Sequence, residues 1–307
     1  MVSRINCKGP KTVLVTGADG FTGRYMIEAL NIKGYRVVRV GGVREKSNVD
    51  FITDLTDSKS IQKIVEQTRP NMVVHLAAMS YVGDDHTEDF YKVNLFGTIH
   101  LLEALNQMAH PPEKILIASS ANVYGIPNCD VIDESVPPCP VNHYANSKLA
   151  MEYMVRTWFD RLPIIITRPF NYTGPGQDQR FLIPKIVGHF RRSEREIKLG
   201  NLNISRDFSD VRDIVRCYVA LLESEAQSTI VNICSGIATP LNEIIEMVNA
   251  IAGYKIVVLT EPSLVRTSEI PQLKGSNAYL KKLIGVSPNS SLQKTLQEMY
   301  SIETKID

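Results

Sequence analysis

The sequence predicts a doubly wound α/β fold, a parallel (Rossmann) sheet covered on both faces by helices, with a smaller, partly interleaved C-terminal unit. Three observations predict it. Short apolar runs alternate with helical-period segments through the first half, a glycine-rich turn joins the first run to the first helix, and the alternation loosens after about residue 170. Parallel strands need crossover helices, and strands buried on both faces read as nearly continuous apolar runs.

TVLVT (12–16), RVVRV (36–40), NMVVHLA (71–77), KILIA (114–118) and PIIIT (163–167) read as the buried strands. Between them lie amphipathic helix candidates near 22–33, 58–68, 87–109 and 143–161. Pro169, Gly174, Pro175 and Gly176 then mark a long turn. A helix (181–192), a short strand (196–199), a helix (210–223) and the strand TIVNI (229–233) follow. TPLNEIIEMVNAIAG is predicted to be a helix with Thr239 as N-cap, Pro240 at its first position and Gly253 just past its end. These elements divide the chain into a dinucleotide-binding unit, 1–170, and a mainly substrate-binding portion, 171–307, with about 210–235 returning to the first unit.

The 307 residues, 44% hydrophobic and 22% charged, suffice for a sizeable core. A formal charge of +1 supplies no broad field for nucleic acid or an anionic membrane, so any anion site must be local. The five cysteines (Cys7, Cys129, Cys139, Cys217, Cys234) are scattered and contain no CxxC pair, which fits reduced thiols in the cytoplasm and no zinc site. The N-terminal stretch offers only a five-residue apolar run, so neither signal peptide nor membrane span is expected. No metal is expected, and His75 and His143 read as packing or polar bystanders.

In TVLVTGADGFTGRYMIEAL, Gly17, Gly20 and Gly23 fall where a strand turns into a helix. One glycine permits the tight turn, another the backbone approach of a pyrophosphate, and the third close helix–strand contact, while the helix start offers unpaired amides. The second strand should end near the group that reads the adenosine ribose. RVVRVGGVREK carries no acid until Glu45, and Arg44 precedes it. An arginine there pairs with a 2′-phosphate, which favours NADP(H); with NAD(H) as the alternative, Arg44 is a solvated loop residue. Asp54 and Leu55 stand where the next turn should meet the adenine, or else Asp54 caps the helix at 58–68.

Tyr144 and Lys148 are four apart in HYANSKLAMEYM and so share one helix face. A phenol is a poor proton carrier near neutrality unless something favours its anion, and a neighbouring ammonium does so. SSANVYG (119–125), one strand earlier, offers hydroxyls, an amide and a phenol, with no carboxylate, imidazole or thiol.

With those motifs in order, the chain resembles the extended short-chain dehydrogenase/reductase family, specifically its nucleotide-sugar epimerases, dehydratases and reductases. TGADGFTG, HLAA (75–78), SSANVYG, YANSK, RPFNYTGPGQ, SRDFSDVRD and VRTSEIP carry the likeness, from about residue 12 to 302. The resemblance implies that Ser120 hydrogen-bonds the sugar C4 oxygen, Tyr144 exchanges a proton and Lys148 tunes the tyrosine and anchors the cofactor. It adds Phe21, Thr22, Leu76, Ala77, Ala78 and Phe170 to the cofactor residues. The family's 4,6-dehydratases need a carboxylate two residues beyond the Ser120 position, where this chain has Asn122, so dehydration is not expected.

The resemblance also implies that Asn171, Arg206 and Arg266 meet the substrate diphosphate, Glu269 the nucleotide ribose and Ser80 the sugar. Asp84, Asp85, Glu88 and Asp89 read as a solvated loop. LGNLNISRDF is similar to the GDP-mannose branch, and CSG (234–236) with R-x-x-E-I-P-x-L-x-G (266–275) to GDP-4-keto-6-deoxy-mannose reductases. The expectation is an NAD(P)H-dependent reduction of the C4 ketone of such a sugar to GDP-D-rhamnose or GDP-6-deoxy-D-talose. The alternatives are an NAD-dependent C4 epimerase, a 4-keto reductase of a dTDP- or UDP-linked sugar, and a non-catalytic cofactor sensor. Apolar stripes on 87–109 (Phe96, Leu101, Leu105) and 143–161 (Met151, Met154, Trp158) belong to the helices that build the family's homodimer.

Overall fold

A computed structural model describes residues 9–42, 48–80, 87–265 and 269–302. The strands are β1 (Thr12–Thr16), β2 (Arg36–Gly41), β3 (Phe51–Ile52), β4 (Met72–His75), β5 (Lys114–Ala118), β6 (Ile164–Pro169), β7 (Asn171–Thr173), β8 (Glu196–Leu199), β9 (Ser205–Asp210), β10 (Thr229–Ile233), β11 (Ala238–Pro240), β12 (Val257–Thr260) and β13 (Gln272–Leu273). Seven of them form one parallel sheet in the order β10-β6-β5-β4-β1-β2-β3. The order reverses between β1 and β4, the switch point outside whose carboxyl ends such sheets bind their ligands. β1, β4 and β6 are buried throughout, as apolar runs in a two-sided sheet must be.

The helices are α1 (Phe21–Ile32), α2 (Ser58–Thr68), α3 (Thr87–Tyr91), α4 (Thr98–Asn106), α5 (His143–Arg156), α6 (Leu182–Arg191), α7 (Val211–Glu223), α8 (Leu241–Ala252), α9 (Ala278–Ile284) and α10 (Leu292–Ser301). α1, α7 and α9 cover one face, with Met26, Leu30, Ile214, Tyr218 and Leu280 in its core; α2, α4 and α5 cover the other with Ile61, Leu101, Leu105, Met151 and Val155. α6, α8 and α10 build a separate core around Ile186, Phe190, Ile244, Val248 and Leu296. Both α7 and β10 thus return to the large sheet, and so does α9. Only Phe170 separates the end of β6 from β7, which pairs with β9; β9 also holds β11 and β13. The chain therefore passes straight from the large sheet into a small one.

Three local expectations differ from the structure. The helix expected at 87–109 is broken: a π-helical segment, Lys92–Gly97, separates α3 from α4. The helix expected at 143–161 stops at Arg156, where the Thr157 hydroxyl donates to the Met154 carbonyl at 2.7 Å and closes the last turn. Thr239 does not cap α8. It pairs with Arg206 in β11, and Pro240 is the N-cap, while Gly253 takes the expected left-handed conformation at φ +78°.

Candidate active site

The glycine turn is shaped by close approach. Gly17 has φ +67°, and a Cβ there would lie 2.7 Å from the Ala77 amide nitrogen; a Cβ on Gly23 would lie 2.1 Å from the Gly17 carbonyl oxygen. Gly20 precedes α1 without a side-chain cap, and the first turn of α1 holds no acid. The first amides of a helix have no intrahelical acceptor, so this end favours an anion. The Phe21 ring stacks on Tyr172 at 6.2 Å, and the Thr22 hydroxyl meets the Tyr172 hydroxyl at 2.8 Å. Their side chains thus fasten α1 to the β7 segment, and their amides stand at the helix start.

Leu76 donates its amide to the Thr16 carbonyl and Ala77 to the Thr16 hydroxyl, so the run from Leu76 to Ala78 follows the end of β1. Ser80 is exposed beyond it. Leu55 is buried in the core under α4, and Asp54 is exposed, its carboxylate accepting from the Thr56 amide and hydroxyl. The cap of α2 is Asp57, which accepts from the Lys59 and Ser60 amides, so the capping role weighed for Asp54 falls three residues later. Asp19, which the sequence did not single out, reaches across to accept from the Gly42 amide at the end of β2. Arg44 lies outside the described residues.

Ser120, Tyr144 and Lys148 come together at the carboxyl end of β5. Ser120 caps a short 3-10 turn by accepting from the Asn122 amide at 3.2 Å, and Asn142 caps α5 by accepting from the Ala145 amide. These caps fix both partners, and the Ser120 hydroxyl faces the Tyr144 phenol. Burial pushes the Tyr144 phenol up to about 12, a rise that the nearby Ser120 hydroxyl partly offsets. Lys148 is buried, donates to the Ala118 carbonyl at 2.7 Å, and is drawn down to about 8 by desolvation. Burial is the largest influence on the phenol, with the Ser120 hydroxyl acting against it.

Beside them, His75 is clasped between the Thr16 and Thr98 hydroxyls at 2.7 and 2.9 Å. Burial, and then the Lys148 charge, lower it to about 3, so it is neutral and not a proton carrier near neutrality. His143 meets the Tyr91 hydroxyl at 3.1 Å. Asn94, from the π-helical segment, is the contributor that sequence reasoning missed. Its amide accepts from the Met79 amide, donates to the Met79 carbonyl, and donates to the Ser147 hydroxyl, which donates to the Tyr144 carbonyl. An asparagine 1% exposed in an apolar helical run was the available signal. Among the described residues, the Ser119 and Ser209 hydroxyls are buried without a hydrogen-bond partner.

Three of the substrate candidates, Asn171, Arg206 and Glu269, gather at the small sheet. Asn171 opens β7 opposite Phe208 of β9, two residues from Arg206, and Arg206 pairs with Leu273 of β13. Arg206 donates to Glu269 at 2.5 Å and to the Ser205 and Pro271 carbonyls. The two side chains assigned to different parts of a nucleotide therefore hold each other. Asp207, also missed, accepts from the amides of Ser235, Gly236 and Gly275 and from the Ser235 hydroxyl, tying CSG to the C-terminal motif. Phe170 is buried beneath, and a Cβ on Gly275 would meet its ring at 2.7 Å. Asn122 is partly exposed. Arg266, Asp84 and Asp85 lie outside the described residues, and Glu88 and Asp89 pair with Lys92. Among the described residues no group of three His, Cys, Asp or Glu could hold a metal, and no helix is long and apolar enough to cross a membrane.

A seven-stranded parallel sheet, a glycine turn against an uncapped helix and a buried Ser–Tyr–Lys cluster define a dinucleotide-dependent enzyme architecture. The chain belongs to the family described as GDP-mannose 4,6 dehydratase, whose profile matches residues 14–299. It is 35% identical over 289 residues to GDP-6-deoxy-D-talose 4-dehydrogenase of Aggregatibacter actinomycetemcomitans, covering 94% of this chain and 96% of that one. It is 29% identical over 304 residues to GDP-6-deoxy-D-mannose reductase of Pseudomonas aeruginosa, again covering 94% and 96%. Among solved structures, RMD from Pseudomonas aeruginosa complexed with NADPH superposes with a TM-score of 0.83 at 28% identity, covering 95% of this chain and 97% of that one.

Proposed function

We propose that the protein is an NAD(P)H-dependent oxidoreductase that reduces the C4 keto group of a nucleotide-linked 4-keto-6-deoxyhexose. The substrate that its relatives favour is GDP-4-keto-6-deoxy-D-mannose, giving GDP-D-rhamnose or GDP-6-deoxy-D-talose. The observation that carries the reading is the buried Tyr144 phenol beside Ser120, one helical turn from the buried Lys148, with an amide rather than a carboxylate at Asn122.

The glycine turn suits a dinucleotide: methyl-sized groups are excluded at Gly17 and Gly23, and the start of α1 carries no competing acceptor. Gly17, Gly20, Gly23 and the amides of Phe21 and Thr22 would hold the pyrophosphate, Asp54 and Leu55 the adenine side, and Leu76–Ala78, Lys148 and Phe170 the nicotinamide side. When bound, the dihydronicotinamide supplies a hydride to C4. Tyr144, protonated far above neutrality, gives its proton to the C4 oxygen, and Ser120 donates a hydrogen bond to that oxygen as charge builds on it. The ketone becomes an alcohol, the cofactor is oxidised, and the phenol is reprotonated from solvent. A protonated phenol suits reduction, and no group at position 122 can take the C5 proton that dehydration requires.

Arg206, Arg266 and Asn171 would grip the diphosphate, Glu269 the ribose and Ser80 the sugar. Arg44, three residues past β2 in the sequence, favours NADP(H) over NAD(H). Of the stripe residues, Leu101, Leu105 and Met151 are buried in the sheet core with Trp158 packed against them, whereas Phe96 and Met154, 50% and 41% exposed on adjacent helical segments with Tyr153 at 53%, support a homodimer through these faces. The scattered cysteines fit a cytoplasmic enzyme. The test is an assay with enzymatically made GDP-4-keto-6-deoxy-D-mannose and NADPH or NADH, with NMR of the product. Oxidation of cofactor with formation of the 4-hydroxy sugar is expected, and cofactor left unoxidised with every 4-keto sugar nucleotide overturns the reading.

A further inference from the structure

One helical turn beyond Lys148, on the same face of α5, lies Glu152. It is 1% exposed, and Arg168 of β6 grips it through Nε at 2.9 and 3.2 Å and through Nη2 at 2.5 Å. The other side of that guanidinium lies over the Tyr124 ring at 4.8 Å, and the Tyr124 hydroxyl donates to Asn232 at 2.8 Å. An isolated hydrophobic residue could fill the same space. A buried ion pair costs desolvation that its own attraction recovers only in part, so its presence here calls for a role.

We propose that Glu152, clamped by Arg168, is a positioning residue for Lys148: its buried carboxylate keeps the lysine an ammonium aimed at Ala118 and the cofactor side of the cleft. This rests on the role proposed above for Lys148. Burial by itself pulls a lysine towards the neutral amine, and Glu152 is the named group that opposes this. Arg168 stops the carboxylate from swinging up to form a contact pair with Lys148, which would withdraw the ammonium from the ribose. The charge is therefore held near the lysine but off it. The other groups around Lys148 do not substitute: His75 on β4 is neutral, and the Tyr144 phenol on α5 keeps its proton. Glu134 and Arg156 face the pair from a cleft on the far side, together with Ser228 and Phe159. Between pH 6 and pH 10, Lys148 is then the group whose charge changes in this part of the site.

The test is the pH profile of kcat/KM for the reduction in Glu152→Gln, Glu152→Asp and wild type. The basic limb, set by loss of the Lys148 proton, should move down by about one pH unit in Glu152→Gln, since a unit charge is lost roughly 6 Å away. That is about a tenfold additional loss at pH 9 with activity at pH 6 little changed. Glu152→Asp keeps the charge and should keep the wild-type limb. A uniform loss at every pH with the limb in place would reduce Glu152 to a structural part and overturn the proposal. Should Glu152→Gln fail to fold, Glu152→Gln/Arg168→Met leaves no uncompensated buried charge, and its limb must still lie below that of Arg168→Met alone, the comparison in which only the Glu152 charge differs. Lys148→Met with wild-type turnover would sink the reading of Lys148 itself; an inactive Lys148→Met with an unmoved Glu152→Gln limb sinks only this inference.

Discussion

Asn94→Ala should weaken both the fold and cofactor binding, because this one amide joins the nicotinamide-side loop to the helix of Tyr144. Three hydrogen bonds are lost, two to Met79 at 2.9 and 3.1 Å and one to Ser147 at 3.0 Å. Each contributes about 1 kcal/mol net, and a stranded buried group costs about 1–3. Met79 is only partly buried and can turn to water, and the Ser147 hydroxyl keeps its bond to the Tyr144 carbonyl, so the sum is about 2–4 kcal/mol. Chemical denaturation should show that loss as a lower midpoint with an unchanged slope. The loop following Ala78 is then no longer held, so KM for the cofactor should rise more than kcat falls. Asn94→Asp, which keeps the acceptor for the Met79 amide but loses both donors, should fall at least as far. A midpoint and a cofactor KM within error of wild type would refute the reasoning.

Tyr144→Phe should bind cofactor normally and lose about 10²–10⁴ in kcat, read by steady-state rates and fluorescence titration. Gly23→Ala, which sets a methyl against the Gly17 carbonyl, should destroy cofactor binding in a titration even where circular dichroism shows a folded chain. Arg206→Met should raise the sugar-nucleotide KM at least tenfold with little change for the cofactor, and it should also free Glu269. Because His75 falls from its ordinary 6.5 to about 3 in the fold, the unfolded chain binds more protons between these values; stability is present above 6.5 and is lost as pH falls towards 3, by several kcal/mol at about 1.4 per unit. His75→Gln should flatten that slope in pH-dependent denaturation.

The strands were legible because a sheet buried on both faces demands apolar runs, and β1, β5 and β10 match their predicted ends residue for residue. Tyr144 and Lys148 were legible because four-residue spacing on a helix is local information. What escaped is tertiary. Asn94 acts by touching residues 15 and 53 positions away, and Arg206 meets Glu269 across 63. The π-helical segment inserts a residue into a pattern that otherwise reads as one helix. Thr239 carries a capping residue's chemistry but is taken by β11, since pairing with β9 closes the small sheet. Asp54 and Asp57 could not be ranked as caps from composition, because three residues move a carboxylate from the start of the helix to the turn before it.

The electrostatics of the site tie its two halves to one sequence of events. In the half proposed to take the sugar nucleotide, Arg206 is held by Glu269 and by the Ser205 and Pro271 carbonyls. On that proposal a diphosphate would displace part of the Glu269 contact, while a ribose would offer Glu269 hydroxyls to accept from. In the catalytic half, burial keeps Tyr144 protonated and Lys148 near its titration point. That combination serves proton donation to a ketone, whereas oxidation of an alcohol would need the phenolate that burial opposes. On the proposed function, selectivity for a nucleoside diphosphate and a bias towards reduction would share one physical source: the charged groups are largely buried, and each must find its counterpart in the ligand.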